Sequence, residues 1–164
     1  MDKIKWLIIL FLLFLLTSCS TTKRELSPGN FAGFNPSGYM VVSTRVELGG
    51  ELDGLYVENG VTLTIRLAKG TESLEIYVVK FDKALKASSF WYKWGKLNFN
   101  ELKVVLSAIP GVYGELSGNA NSGYIESWLS GKWIYIFRGE KTAVKETVKA
   151  FKEYMKELKK SVES

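Results

Sequence analysis

Between residues 39 and 138 the apolar positions recur mostly at every second residue, the period of a strand with one face buried. Over 39–48, Met40, Val42, Val46 and Leu48 fall on one face and Ser43, Arg45 and Glu47 on the other. Over 61–68 the alternation is cleaner, with Val61, Leu63, Ile65 and Leu67 inward and Thr62, Thr64 and Arg66 outward. Between these two, 55–58 is expected to pair across an Asn59-Gly60 turn. Over 74–81 both faces are apolar, Leu74, Ile76 and Val78 against Tyr77, Val79 and Phe81, which predicts a central strand covered on both sides. The period then lengthens. Asp82 is expected to cap a helix over 83–94, with Ala84, Ala87, Trp91 and Trp94 on its buried face and Gly95 as its stop. Over 100–109, Leu102, Val105, Leu106 and Ile109 have helical spacing, whereas Leu102, Val104 and Leu106 alternate; a short helix ending at Pro110-Gly111 is the reading chosen.

Three strands follow at 112–116, 124–129 and 132–138, the last two joined at Ser130-Gly131. A two-residue loop there would set Trp128 opposite Trp133, Glu126 opposite Tyr135 and Tyr124 opposite Phe137. One face of the hairpin is then aromatic, and the other carries Ile125, Leu129, Ile134 and Ile136. The clearest helix lies over 140–160, where Val144, Val148, Phe151, Met155, Leu158 and Val162 recur at spacings of four and three. That stripe suits a helix laid across a sheet better than a coiled-coil seam of barely three heptads.

Strands, helix, antiparallel meander and C-terminal helix make an α+β domain: an antiparallel sheet of about six strands flanked by helices, with the long last helix packed on it. Residues 39–164 suit one such domain. Over about 39–158 this order of elements resembles the PsbP-like fold and small bacterial lipoproteins of unassigned function. The resemblance implies a binding or assembly factor and brings no site residue with it.

The N-terminus has a different character. Lys3 and Lys5 precede an uninterrupted apolar run of eleven residues over 6–16, followed by Thr17, Ser18 and Cys19. A basic start and a short apolar run make a signal peptide, since a spanning helix needs about 20 apolar residues. Leu16-Thr17-Ser18-Cys19 resembles the bacterial lipobox. The resemblance implies removal of 1–18, a diacylglycerol on the Cys19 sulfur and an acylated new amino group, the usual palmitate-type lipoprotein anchor. Two or three acyl chains hold a protein stably on a membrane, at about 0.8 kcal/mol per buried methylene. Resemblance to Gram-negative lipoproteins further implies that Ser20, in place of an aspartate, favours the outer membrane in a cell that has one; in a single-membrane bacterium the leader would place the domain on the outer face of the cell.

Residues 19–38 hold Pro28, Pro36 and several glycines and read as a lipid-anchored tether of roughly 25 Å reach, although Phe31 and Phe34 could pin part of it to the domain.

Composition narrows the chemistry. The chain has no histidine and one cysteine, which excludes Ser-His and Cys-His catalysis, histidine-ligated zinc, an intramolecular disulfide and a CxxC redox pair. The mature chain of 146 residues carries a formal charge of +4, a mild excess without the motifs of a nucleic-acid binder. No metal or cofactor is expected. Tyr124, Trp128, Trp133 and Tyr135 are the candidate ligand-binding residues, a platform for sugar rings or an apolar ligand, set against the reading that a helix covers them as core. Glu47, Glu51, Asp53 and Glu58 near glycine turns could suit calcium, but their spacing matches no EF-hand loop and solvated turn acids are the better reading. Glu115 with Glu126 could form an acid-base pair. The function expected is a non-catalytic, membrane-anchored envelope lipoprotein that binds a protein, lipid or glycan partner or supports assembly. The alternative is a carboxylate-dependent hydrolase of a cell-wall polymer.

Overall fold

A computed structural model describes residues 25–163; the expected signal peptide, 1–18, and Cys19 lie outside the described residues. The strands are β1 (Met40–Leu48), β2 (Glu51–Leu52), β3 (Leu55–Tyr56), β4 (Gly60–Lys69), β5 (Glu72–Phe81), β6 (Ala108–Ile109), β7 (Tyr113–Ala120), β8 (Gly123–Ser130) and β9 (Trp133–Gly139). The helices are α1 (Ala84–Asn98), α2 (Glu101–Leu106) and α3 (Lys141–Glu163). The architecture is α+β: a seven-stranded antiparallel sheet ordered β1-β4-β5-β9-β8-β7-β6, helices on both faces, and the long C-terminal helix across one of them.

β5 is central because both of its faces are apolar. Leu74, Ile76 and Val78 join the layer under α3, while Val79 and Phe81 join the layer under α1. β9 and β8 split the same way, Tyr135, Phe137 and Trp128 toward α3 and Ile134, Ile136, Ile125 and Leu129 toward α1. α3 starts where the Glu140 carboxylate accepts the backbone N–H groups of Thr142 (2.8 Å) and Ala143 (3.1 Å), satisfying the orphan donors of its first turn. Val144, Val148 and Phe151 are buried beneath it, with Met155 and Leu158 half-buried.

Four local expectations change. The β8–β9 loop is Gly131-Lys132, with Gly131 at a φ of 55°. Trp128 therefore pairs with Tyr135, Glu126 with Phe137 and Tyr124 with Gly139, a slip of two that leaves every side chain on its expected face. The 55–58 stretch pairs across Asp53-Gly54 with Glu51–Leu52 instead, both turn residues having positive φ. Asp82 does not cap α1; its carboxylate pairs with Lys86 at 2.9 Å, and Lys83 is the capping position. Gly95 lies inside α1, not after it. A Cβ there would come within 2.8 Å of Val104, so this glycine lets α1 and α2 approach closely.

The inward face expected for β1 is open. A bulge at Val42 separates the two halves of its pairing, and Met40, Val42, Val46 and Leu48 are all exposed. Phe31 and Phe34, by contrast, are buried against the sheet, over β4 and β5 and beside α3. Of the two readings of the Pro/Gly-rich stretch, whose residues 19–24 lie outside the described residues, pinning describes 25–38. That segment begins at one end of the sheet, where the Lys80 ammonium donates to the Leu26 carbonyl (2.6 Å) and pairs with Glu25 (3.0 Å). At this end one row of directly paired residues crosses the whole sheet, from Leu48 through Val61, Lys80, Trp133, Ser130 and Tyr113 to Ile109.

Candidate functional site

The aromatic residues of the β8–β9 hairpin meet, but as core. Trp128 stacks on Tyr135 (4.8 Å between centroids) and on Phe137 (5.5 Å), and Trp133 stacks on Tyr135 (6.0 Å). Phe151 of α3 meets Tyr135 and Phe137 edge-on, and Phe31 meets Trp133 and Tyr135 edge-on. Trp128 is 7% exposed and Tyr135 5%; burial pushes the Tyr135 phenol up. The remaining ring surface is capped by cations: Lys152 lies 4.9 Å over Trp128, Lys80 5.1 Å over Trp133 and Lys141 5.7 Å over Tyr124. Of the candidate platform, Trp128 and Tyr135 lie in the packed layer beneath α3 and residues 25–38, as the core reading has it, while Tyr124 and Trp133 are half-buried at the edge of that layer. Trp91 and Trp94 are fully buried on the other side of the sheet.

The carboxylates Glu115 and Glu126 do come together. Glu115 pairs with Trp128 and Ser117 with Glu126, so the two acids are diagonal neighbours on one face of β7 and β8, at a separation of roughly 7–8 Å between backbones. Burial raises the Glu126 carboxyl, Lys152 opposes this, and the Glu115 charge adds to it. Glu115 is exposed and accepts the Tyr113 hydroxyl at 2.6 Å, which pushes that phenol up to about 12. α3 covers β8 and β9 but leaves Tyr113, Glu115, Ser117 and Asn119 of β7 exposed, so this pair lies on an open shelf beside the helix. The Gly/Ser/Asn-rich stretch around it, 114–123, is hairpin strand and turn and forms no phosphate-binding loop.

The most extensive polar cluster was not anticipated. At the tip of the β2–β3 hairpin, Asp53 accepts from the Trp94 indole (2.8 Å) and the Asn98 amide (3.2 Å), and forms an ion pair with Arg138. Burial works to raise the Asp53 carboxyl, but the hydrogen bonds from Arg138 and Trp94 outweigh it and hold it below the usual carboxylate range. Arg138 also lies 6.0 Å over the Tyr77 ring, whose hydroxyl donates to Glu75 (2.8 Å). An arginine in the otherwise apolar run of β9 was the available signal, since a cation there needs a partner. The cluster locks the hairpin to α1 and the sheet. It also removes Asp53 from the candidate calcium set, while Glu47 pairs with Arg45 at 2.6 Å. Among the described residues no three Asp, Glu, Cys or His side chains gather as a metal would require.

A cavity of about 270 Å³ opens at the far end of the sheet, lined by Tyr39, Lys69, Glu72, Glu140 and Glu146. Its walls are surface charges, with Lys69 and Glu146 only 3.9 Å apart. Comparison with known proteins finds no match to this chain among family models, curated proteins or solved structures.

Proposed function

We propose that this chain is a lipid-anchored protein of the bacterial cell envelope, held at Cys19 and acting through binding or assembly, not catalysis. The observation that carries the reading is Leu16-Thr17-Ser18-Cys19 at the end of an eleven-residue apolar run. Two features of the fold support it: Glu25, six residues after that cysteine, already belongs to the segment packed on the sheet, and both faces of the central strands β5, β9 and β8 are covered within the chain, which leaves outer surfaces for contact. Among the described residues no helix is long and apolar enough to cross a membrane. The test is the mass of the chain recovered from bacterial membranes. A chain starting at Cys19 and carrying diacylglycerol, with Cys19→Ser released from the membrane, is the expected result; a chain retaining Met1, or one that stays soluble, overturns it.

The Glu115–Glu126 shelf favours a second reading, a carboxylate-dependent hydrolase of a cell-wall polymer. Glu126 with its raised carboxyl would be the acid and Glu115 the base. Release of soluble fragments from purified cell wall, lost in Glu126→Gln, would establish it; no release by the native chain would dismiss it.

A further inference from the structure

We propose that the end of the sheet at which residues 25–26 join it is a docking surface for a lipid bilayer. The inference rests on the lipoprotein reading and adds an orientation to it. Six residue steps separate Cys19 from Glu25, so a lipid on that cysteine holds this end within about 20 Å of the headgroups. The corners of this end carry exposed apolar side chains. Leu48, Leu85, Ile109 and Val112 are each between 60% and 85% exposed. Three of them lie at one corner: Leu85 borders Gly111, which stands between Ile109 and Val112 in the chain, and the Val112 carbonyl accepts the Gly131 N–H at 2.9 Å. Leu48 stands at the opposite corner of the same cross-sheet row, six strand spacings or roughly 29 Å away. The point where the chain joins lies between the two corners, at Lys80. Lys83 and Lys132 are exposed on the same rim; of its acids, Asp82 and Glu25 are paired with Lys86 and Lys80, and Glu58 is exposed.

An apolar rim with exposed lysines matches the acyl boundary and the anionic headgroups of a bilayer, into which such side chains enter by roughly 5–10 Å. The leash makes the bilayer the surface this rim must meet first, which is the argument for lipid over a second copy of the chain.

The test uses the full chain, produced in a bacterium that processes lipoproteins and reconstituted into vesicles of phosphatidylethanolamine and phosphatidylglycerol. Because the chain has one cysteine and lipid blocks its sulfur, Val112→Cys supplies a single free thiol for an environment-sensitive fluorophore. Ser122→Cys, in the exposed turn roughly 25 Å away at the far end, supplies the comparison. The expected result is quenching of the label at position 112 by spin-labelled lipid about threefold stronger than at 122. In a Leu85→Ser/Ile109→Ser background, whose changes are at exposed positions and spare the core, the excess should fall by at least about half. Equal quenching at 112 and 122, with the chain still floating with the vesicles, overturns the docking surface alone. Shielding at 112 that follows protein density and not the lipid quencher assigns the rim to a second copy and also overturns it. A chain without diacylglycerol by mass, which fails to float, overturns the lipoprotein reading and the orientation with it.

Discussion

Replacing Phe31 by alanine separates a packed N-terminal segment from a free tether. The Phe31 ring is 1% exposed, stacks on Phe151 at 5.4 Å and meets Trp133 (5.8 Å) and Tyr135 (6.3 Å) edge-on. Truncating a buried phenylalanine costs about 3–5 kcal/mol in a rigid core, from lost burial and the cavity left behind. The site here is less rigid, because the segment is held otherwise by Phe34 and by the Lys80 contacts to Glu25 and Leu26 and can settle toward the gap. The expected loss is therefore about 3 kcal/mol, at the low end of that range. For a chain of this size it lowers the melting midpoint by roughly 10 °C. Urea and thermal unfolding of the chain from residue 20 onward measure it, alongside acrylamide quenching of Trp133 with the other tryptophans replaced by phenylalanine. If the segment lifts off locally, the midpoint moves less but Trp133 becomes accessible, since sub-global opening costs less than unfolding. A loss below about 1 kcal/mol together with unchanged quenching would refute the packing argument.

Three further substitutions test separate parts of the fold. Gly95→Ala should destabilise by about 1 kcal/mol in urea unfolding, because overpacking against Val104 and Leu116 outweighs the helix-propensity gain of roughly 1 kcal/mol; a stabilised variant would show that Val104 yields and that the approach of α1 and α2 does not depend on this glycine. Asp53→Asn should cost about 2 kcal/mol at neutral pH, less than a fully buried pair because solvent reaches the site. The Asp53 carboxyl is lowered in the fold, so its contribution is present above the unfolded value near 3.9 and lost as pH falls through the folded one; the native chain should lose stability more steeply with acid than the variant. Glu126 is raised, so its ionisation weakens the fold as pH climbs above about 4.3: Glu126→Gln should melt higher than the native chain at pH 7 and equal to it in acid, and an equal melting point at both pH values would contradict the burial assigned to this carboxyl.

How much the sequence revealed depends on whether one face or two carried the signal. β5 and the β8–β9 hairpin were legible because apolar residues on both faces leave a strand nowhere but the middle of a three-layer stack. The α3 stripe was legible because five buried or half-buried positions in a row require a sheet beneath them. The hairpin loop slipped because Ser130-Gly131 and Gly131-Lys132 both place glycine where positive φ is needed, and a shift of two changes no face. Gly95 misled for a related reason: glycine stops helices and also permits close packing, and only the neighbour, Val104, decides between them. The Asp53–Arg138 pair joins residues 85 positions apart, beyond the reach of any spacing rule.

The same limit explains why the exposed apolar surfaces went unread. Leu102, Val105, Leu106 and Ile109 have the spacing of a buried helix face, yet it is Val104, from the other side of α2, that enters the core, and all four stripe residues face outward. Periodicity tells which residues share a face; it says nothing of what covers that face. In β1 likewise, alternation set Met40 and Val46 on one side, whereas the bulge places Met40 opposite Ala68 and Val46 opposite Leu63, on different faces, and both are exposed. An uncovered stripe acquires a physical meaning only from a constraint that brings a partner to it. Here that constraint is the short path from Cys19 to Lys80, which links the most specific feature of the sequence to an apolar end of the fold and gives the lipid-docking proposal its direction.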